Sequence, residues 1–187
     1  MKTSPREIRY ETPIELVDFT LPTVFLAGPT VRGNQPHLTS WRFEAVGLFI
    51  RNEFEGNLII PEFTNKMESD KYRYDIPLWE YTGLQKAHVI MFWIPRTREL
   101  IGLTTNHEHG YWMARDRKKV VYGRPDDAYR IKYLDIMWEQ DAKRFEAPCP
   151  IYNTLGKTVD AVLEKLPQME TMQLDKLRAA LKKFNAT

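Results

Sequence analysis

The run His88-Val-Ile-Met-Phe-Trp-Ile-Pro95 constrains the fold more than any other stretch of the chain. From Val89 to Ile94 it is uninterrupted by polar residues and rich in β-formers. Such a strand has to be covered on both faces, as the inner strands of parallel sheets are. Three further runs read as strands: Thr23-Val-Phe-Leu-Ala27, closed by Gly28-Pro29; Asn57-Leu-Ile-Ile-Pro61; and Lys119-Val-Val-Tyr122, stopped by Gly123-Arg-Pro125. Helical patterns lie between them. Ser40 is placed to cap a helix carrying Trp41, Ala45, Leu48 and Phe49, and Trp79, Gly83, Leu84 and Ala87 predict another over 76–87. Thr105 is read as opening a third helix. Strands alternating with helices predict a mainly parallel sheet with helices on both faces.

Around this alternation the chain changes character. Residues 1–22 mix charges and prolines and read as an N-terminal arm, while 64–74 are polar and read as a loop. Beyond residue 128 the pattern turns mainly helical. One apolar stripe comprises Leu155, Val159, Val162, Leu163 and Leu166, a second Leu174, Leu177, Leu181 and Phe184, with Pro167 between them. The expected division is an arm (1–22), an α/β catalytic domain (23–136) and a helical C-terminal extension (137–187) packed on that domain.

At 187 residues the chain is long enough for one self-sufficient core. Its 27 basic and 25 acidic residues leave a charge of +2, too balanced to argue for polymeric nucleic acid or a membrane surface as partner. A single cysteine, Cys149, excludes an intramolecular disulfide and suits a reducing compartment. Met1-Lys-Thr-Ser-Pro-Arg is not followed by an apolar signal region, and no apolar run approaches the ~20 residues of a membrane span. The expected location is the cytoplasm.

The segment Gly102-Leu-Thr-Thr-Asn-His-Glu-His-Gly-Tyr111 carries the functional question. It sets Glu108 near the start of a helix that follows a buried strand, where open α/β sheets bind ligands. Two readings compete. Thr105-Asn-His-Glu108 fits the S/T-x-x-E capping box, whose Glu returns to the backbone of the cap. Alternatively Glu108 is a carboxylate nucleophile that attacks the anomeric carbon of a sugar, leaving an ester that a second acceptor opens. That chemistry needs a group to protonate the leaving base, and Glu80 on the preceding helix is the nearest candidate. On its own, Glu80 reads equally well as a solvated helix residue.

Other motifs divide in the same way. His107 and His109 are two residues apart and cannot share a helix face, and H-E-x-x-H would need His where Tyr111 stands, so no metal site is expected. The segment Gly28-Pro-Thr-Val-Arg-Gly33 has the spacing of neither a dinucleotide fingerprint nor a P-loop. It is a strand-ending turn or a ligand loop, with close backbone approach at Gly28 and donors from Thr30, Arg32 and Gly33. Arg96 and Arg124 follow two other strands, so several cations could meet at one rim and suit phosphate. Trp79, Phe92, Trp93, Tyr111 and Trp112 are core aromatics or stacking surfaces for a nucleobase.

Three segments together resemble the nucleoside 2-deoxyribosyltransferase family and its nucleotide-hydrolysing relatives. They are Val24-Phe-Leu-Ala-Gly-Pro-Thr30, the run from Trp79-Glu-Tyr-Thr-Gly-Leu to Ile90, and Gly102 to Ala114 with its Glu-x-Gly-Tyr context. The resemblance spans residues 23–125. It implies Glu108 as nucleophile, Glu80 as the carboxylate that handles the base and its proton, and Asn106 and Tyr111 as pocket neighbours. Gly28, Pro29, Thr30 and Arg32 fall in the substrate loop. His88 stands where the family commonly has Asp, and the chain ends Lys-Lys-Phe-Asn-Ala-Thr, without the terminal aromatic of some members.

The resulting expectation is a flavodoxin-like, doubly wound α/β enzyme of five strands. It would cleave the N-glycosidic bond of a (deoxy)nucleoside and pass the sugar to another base, with no metal or organic cofactor, as a homo-oligomer. Its partners would be a nucleoside or nucleotide and a free nucleobase. The alternatives are a nucleoside 5′-monophosphate N-glycoside hydrolase, a nucleotide-binding module without turnover, and a structural subunit docking through its C-terminal helices.

Overall fold

The computed structural model describes residues 4–32, 35, 37–64, 75–144 and 149–168. Residues 65–74 of the predicted loop, Gly33 and the stripe from Leu174 to Phe184 lie outside these residues. Five strands form one sheet: β1 (Arg6–Ile8), β2 (Thr23–Ala27), β3 (Asn57–Ile59), β4 (Val89–Trp93) and β5 (Val120–Gly123). Their order is β1-β3-β2-β4-β5 and every pairing is parallel. With its flanking helices this is the flavodoxin-like α/β fold that the alternation predicts.

The helices are α1 (Trp41–Arg51), α2 (Ile76–Lys86), α3 (Leu103–Asp116), α4 (Lys132–Arg144) and α5 (155–168). Successive strand residues point to opposite faces, so each inner strand supplies two cores. Phe25, Ile90, Phe92 and Tyr122 meet α2, α3 and α4 through Leu84, Trp112 and Trp138. Val24, Leu26, Met91 and Val121 meet α1 and α5 through Phe49, Val159 and Val162. Every residue of β2 and β4 is buried, which is why these strands carry unbroken apolar runs. Ser40 caps α1 as predicted, accepting from the Arg42 N–H at 3.2 Å. Among the described residues no helix is long and apolar enough to cross a membrane.

The structure differs from the sequence reading at two places. The N-terminal arm is not merely an arm: Arg6–Ile8 forms the edge strand, with Arg6 opposite Asn57 and Ile8 opposite Ile59. Only Ile8 of its three residues is buried, so no period could announce it. The capping box does not form. Helix α3 begins at Leu103, two residues before Thr105, with Gly102 as its N-cap at φ 62°, ψ 64°. Gly102 takes that left-handed turn because it lacks a Cβ, which would sit 2.7 Å from Pro29 Cγ. Thr105 is buried in the first turn, and Glu108, the sixth helical residue, lies beyond the unpaired N–H groups that a cap serves.

Candidate active site

Strand β2 connects through α1 to β3 on one side, while β4 lies against its other side, so the winding reverses between β2 and β4. A crevice opens at the carboxyl ends of strands at such a point. Two loops meet there. Gly28, at φ 152°, turns the chain out of β2 where a Cβ would lie 2.1 Å from the Trp93 carbonyl oxygen, and Pro29 then rests on Gly102 at the start of α3. This contact seats the first turns of α3 over the sheet edge.

Glu80 from α2 and Glu108 from α3 both line a cavity of about 430 Å³, walled also by Tyr81, His107, Tyr111 and Trp112. A larger cavity of about 580 Å³ lies at the far end of α3, beside Arg115, Lys118, Cys149 and Lys165. It is at the wrong edge of the sheet for the switch point and holds no facing carboxylates, so the smaller cavity is the candidate site.

Burial pushes Glu108 up to about 7, the nearby Glu80 charge adds to the rise, and Arg42 opposes it. Burial likewise raises Glu80, against the Tyr10 hydrogen bond and the Arg42 charge, which favour the carboxylate. Burial of both carboxyls, and for Glu108 the nearby Glu80 charge, disfavour ionising the two together. Among the described residues no hydrogen-bond partner of Glu108 is found, and it lines the cavity.

Two side chains that no sequence pattern singled out organise this pair. Tyr10 comes from the arm and donates its hydroxyl proton to Glu80 Oε1. Arg42 is only 1% exposed although it belongs to a helix. It donates from Nε to the Leu26 carbonyl (2.9 Å), from Nη2 to that of Gly28 (2.8 Å) and from Nη1 to Glu62 (2.8 Å). Thr30 Oγ1 accepts from Nη1 at 3.3 Å, and the Pro29 carbonyl accepts from Trp41 Nε1 at 3.1 Å. The loop after β2 therefore turns its oxygens inward onto α1.

The expected site residues are divided by this arrangement. Glu108, Glu80 and Tyr111 line the cavity. Gly28 and Pro29 are buried scaffold beside it, and Thr30 and Arg32 are exposed on the loop beyond. Asn106 is held by Arg96, whose Nη2 donates to its Oδ1, and does not line the cavity. The two arginines after the strands are engaged within the chain, and both lie close enough to Tyr122 to act on it. Arg96 is buried, and Arg124 is paired with Asp135 at 2.9 Å and Asp126 at 3.3 Å. His88 is a structural residue here: its Nδ1 accepts from the Thr23 N–H at 3.2 Å.

His107 and His109 point apart, the first exposed at the cavity and the second fully buried. His109 lies among Tyr122, Phe92 and Trp138, with ring centroids at 4.7, 5.1 and 5.7 Å. Neither of its ring nitrogens has a hydrogen-bond partner among the described residues, and burial lowers it to about 4. Among the described residues no cluster of three or more His, Cys, Asp or Glu could hold a metal ion.

Comparison with known proteins agrees with this geometry. The family model described as "nucleoside 2-deoxyribosyltransferase like" matches residues 21–126, which include β2 to β5, Arg42, Glu80 and Glu108. A search of curated proteins finds no match. With more than half its length matched and with both carboxylates inside the matched region, the chain belongs to the nucleoside 2-deoxyribosyltransferase-like family.

Proposed function

We propose that the protein cleaves the N-glycosidic bond of a nucleoside, with a 2-deoxy sugar favoured, and transfers the sugar to a second base by double displacement. The observation that carries this reading is the pair Glu80 and Glu108, which line one cavity between α2 and α3 and interact electrostatically. A Glu108 oxygen bonds to the anomeric carbon as the bond to the base nitrogen breaks. The electron pair goes to that nitrogen, which takes a proton from Glu80. An incoming base then returns its proton to Glu80, attacks the anomeric carbon and releases Glu108. Lack of a 2-hydroxyl makes the oxocarbenium-like transition state easier to reach, which favours the deoxy sugar. Tyr81, Tyr111 and Trp112 offer aromatic surface to the bases.

The pairing of Arg124 with Asp135 and Asp126 favours a nucleoside over its 5′-monophosphate, since it leaves that charge already compensated within the chain. Leu78, Tyr81, Leu103 and Tyr111 are exposed on α2 and α3 around the cavity, which supports assembly with a second copy there.

The test is chromatographic. The protein is incubated with deoxynucleosides, ribonucleosides and deoxynucleoside monophosphates, with and without a second free base. Exchange into a new nucleoside is the expected result, lost in Glu108→Gln. Base release without exchange points to the hydrolase, and release from monophosphates alone to the nucleotide-specific enzyme. Glu108→Gln turning over like the wild type removes Glu108 from the mechanism.

A further inference from the structure

The family match begins at residue 21, yet the arm before it reaches the candidate site. Parallel pairing of β1 with β3 directs the arm to the carboxyl edge of the sheet, where Glu80 and Glu108 lie. Two residues beyond β1, the ring of Tyr10 sits between Phe63 and Trp79, with centroids at 4.8 and 5.0 Å. Its hydroxyl donates to Glu80 Oε1. The arm is fastened on both sides of this contact. The Ile60 N–H donates to the Ile8 carbonyl at 2.8 Å, and Trp79 Nε1 donates to the Thr12 carbonyl at 2.8 Å. The Glu11 carboxylate accepts from the Thr64 N–H at 2.6 Å. Trp79 and Glu80 are neighbours on α2, so the arm holds this helix at the point where the carboxylate leaves it.

We infer that Tyr10 is a positioning residue for the glycosidic reaction: it holds Glu80 Oε1 as an acceptor, so that Oε2 exchanges the proton with the leaving and incoming bases. This rests on the roles proposed above for Glu80 and Glu108. When the base departs, its nitrogen receives the electron pair of the broken bond and the Glu80 proton, and Glu80 becomes an anion. A hydroxyl donates more strongly to a carboxylate than to a neutral acid, so the Tyr10 bond strengthens as the proton leaves. The same bond weakens as the incoming base returns its proton. Glu80 is faced by Tyr10 from the arm, Arg42 from α1, and Glu108 and His107 from α3. Arg42 opposes the rise caused by burial from a distance, whereas Tyr10 opposes it by direct contact.

Tyr10→Phe tests this in the full chain, because it keeps the ring between Phe63 and Trp79 and removes only the donor. The first readout is the ¹³C titration of the Glu80 carboxyl carbon, assigned by its absence in Glu80→Gln. Its midpoint moves to higher pH in Tyr10→Phe, and moves to lower pH when position 10 carries 3-fluorotyrosine, a stronger donor of nearly the same shape. A midpoint unchanged by both overturns the inference, and the fluorotyrosine protein decides it if the Phe variant folds poorly. The second readout is base release, expected to fall about 10- to 100-fold in kcat with little change in KM. The basic limb of the pH profile moves upward. Tyr10→Phe costs nothing further in a Glu80→Gln background; full additivity of the two substitutions overturns the inference. Wild-type turnover in Glu108→Gln would count against the reaction itself, while the carboxyl titration still decides the role of Tyr10.

Discussion

Arg42 and Glu62 form a buried ion pair, Nη1 to Oε1 at 2.8 Å, with side chains 1% and 12% exposed. The remaining donors of the same guanidinium hold the carbonyls of Leu26 and Gly28, where β2 ends and the site loop begins. The pair thus joins α1, the strand end and the residue that turns the chain toward α3.

Removal of the arginine leaves a buried carboxylate and two carbonyls without their partner. Arg42→Met should destabilise the protein by about 3–5 kcal/mol in urea unfolding. Glu62→Gln keeps an acceptor and should cost clearly less. Equal small losses in the two variants would mean that the guanidinium is not what holds the loop.

Glu108 should make the protein more stable at mildly acidic pH. Its folded value is raised to about 7 from the ordinary 4.5, so the folded state takes up the proton first as pH falls. The resulting stability is fully present below pH 4.5 and is lost as pH rises through 7. Relative to Glu108→Gln, which has no such proton, the wild type should lose on the order of 2 kcal/mol across that window. Chemical unfolding at several pH values measures the difference, and parallel curves for the two proteins would contradict the burial of this carboxyl.

His109 acts in the opposite direction. Its folded value is lowered to about 4 from 6.5, so the unfolded chain takes up the proton first. Stability from the neutral imidazole is present above pH 6.5 and is lost as pH falls toward 4. His109→Leu should lack this acid-side loss, because an apolar side chain leaves no orphaned nitrogens among Phe92, Tyr122 and Trp138. Differences between each variant and the wild type separate the two slopes where they overlap. An acid slope unchanged by His109→Leu would place the loss elsewhere.

Gly102→Ala should weaken both stability and turnover. At φ 62° a Cβ costs about 1 kcal/mol, and this one would also press on Pro29 Cγ at 2.7 Å. Relief of that contact shifts the start of α3, and with it Glu108. The expected result is a loss of about 1–3 kcal/mol in unfolding and a fall in kcat larger than any rise in KM. Unchanged kcat would show that Glu108 is positioned independently of the Pro29 contact.

The inner strands were legible because burial on both faces leaves a mark in the sequence itself. Val89 to Ile94 carries no polar residue, and parallel pairing with β2 and β5 is the arrangement that covers such a run. Glu80 and Glu108 were legible through the segments around them, whose resemblance to one family also placed the pair. The start of α3 was misread because Thr105-x-x-Glu108 is a correct local pattern that lost to the left-handed turn at Gly102. That turn is fixed by Pro29, more than seventy residues earlier in the chain, and short-range patterns carry no record of such a contact.

By itself, then, the sequence determined the alternating α/β layout and the inner strands, and it singled out Glu80 and Glu108 as candidates. The tertiary structure alone decided that Arg6–Ile8 closes the sheet edge, that Arg42 is buried and that Tyr10 reaches Glu80. It also decided that Arg96 is buried against Asn106 and that Arg124 is paired with Asp126 and Asp135. Periodicity records how often a residue meets the core, because burial repeats with the pitch of a helix or the pleat of a strand. A single hydrogen bond or ion pair has no period. Its existence, and the proton affinity it imposes on a carboxyl, follow from distances and desolvation that arise only when remote segments meet.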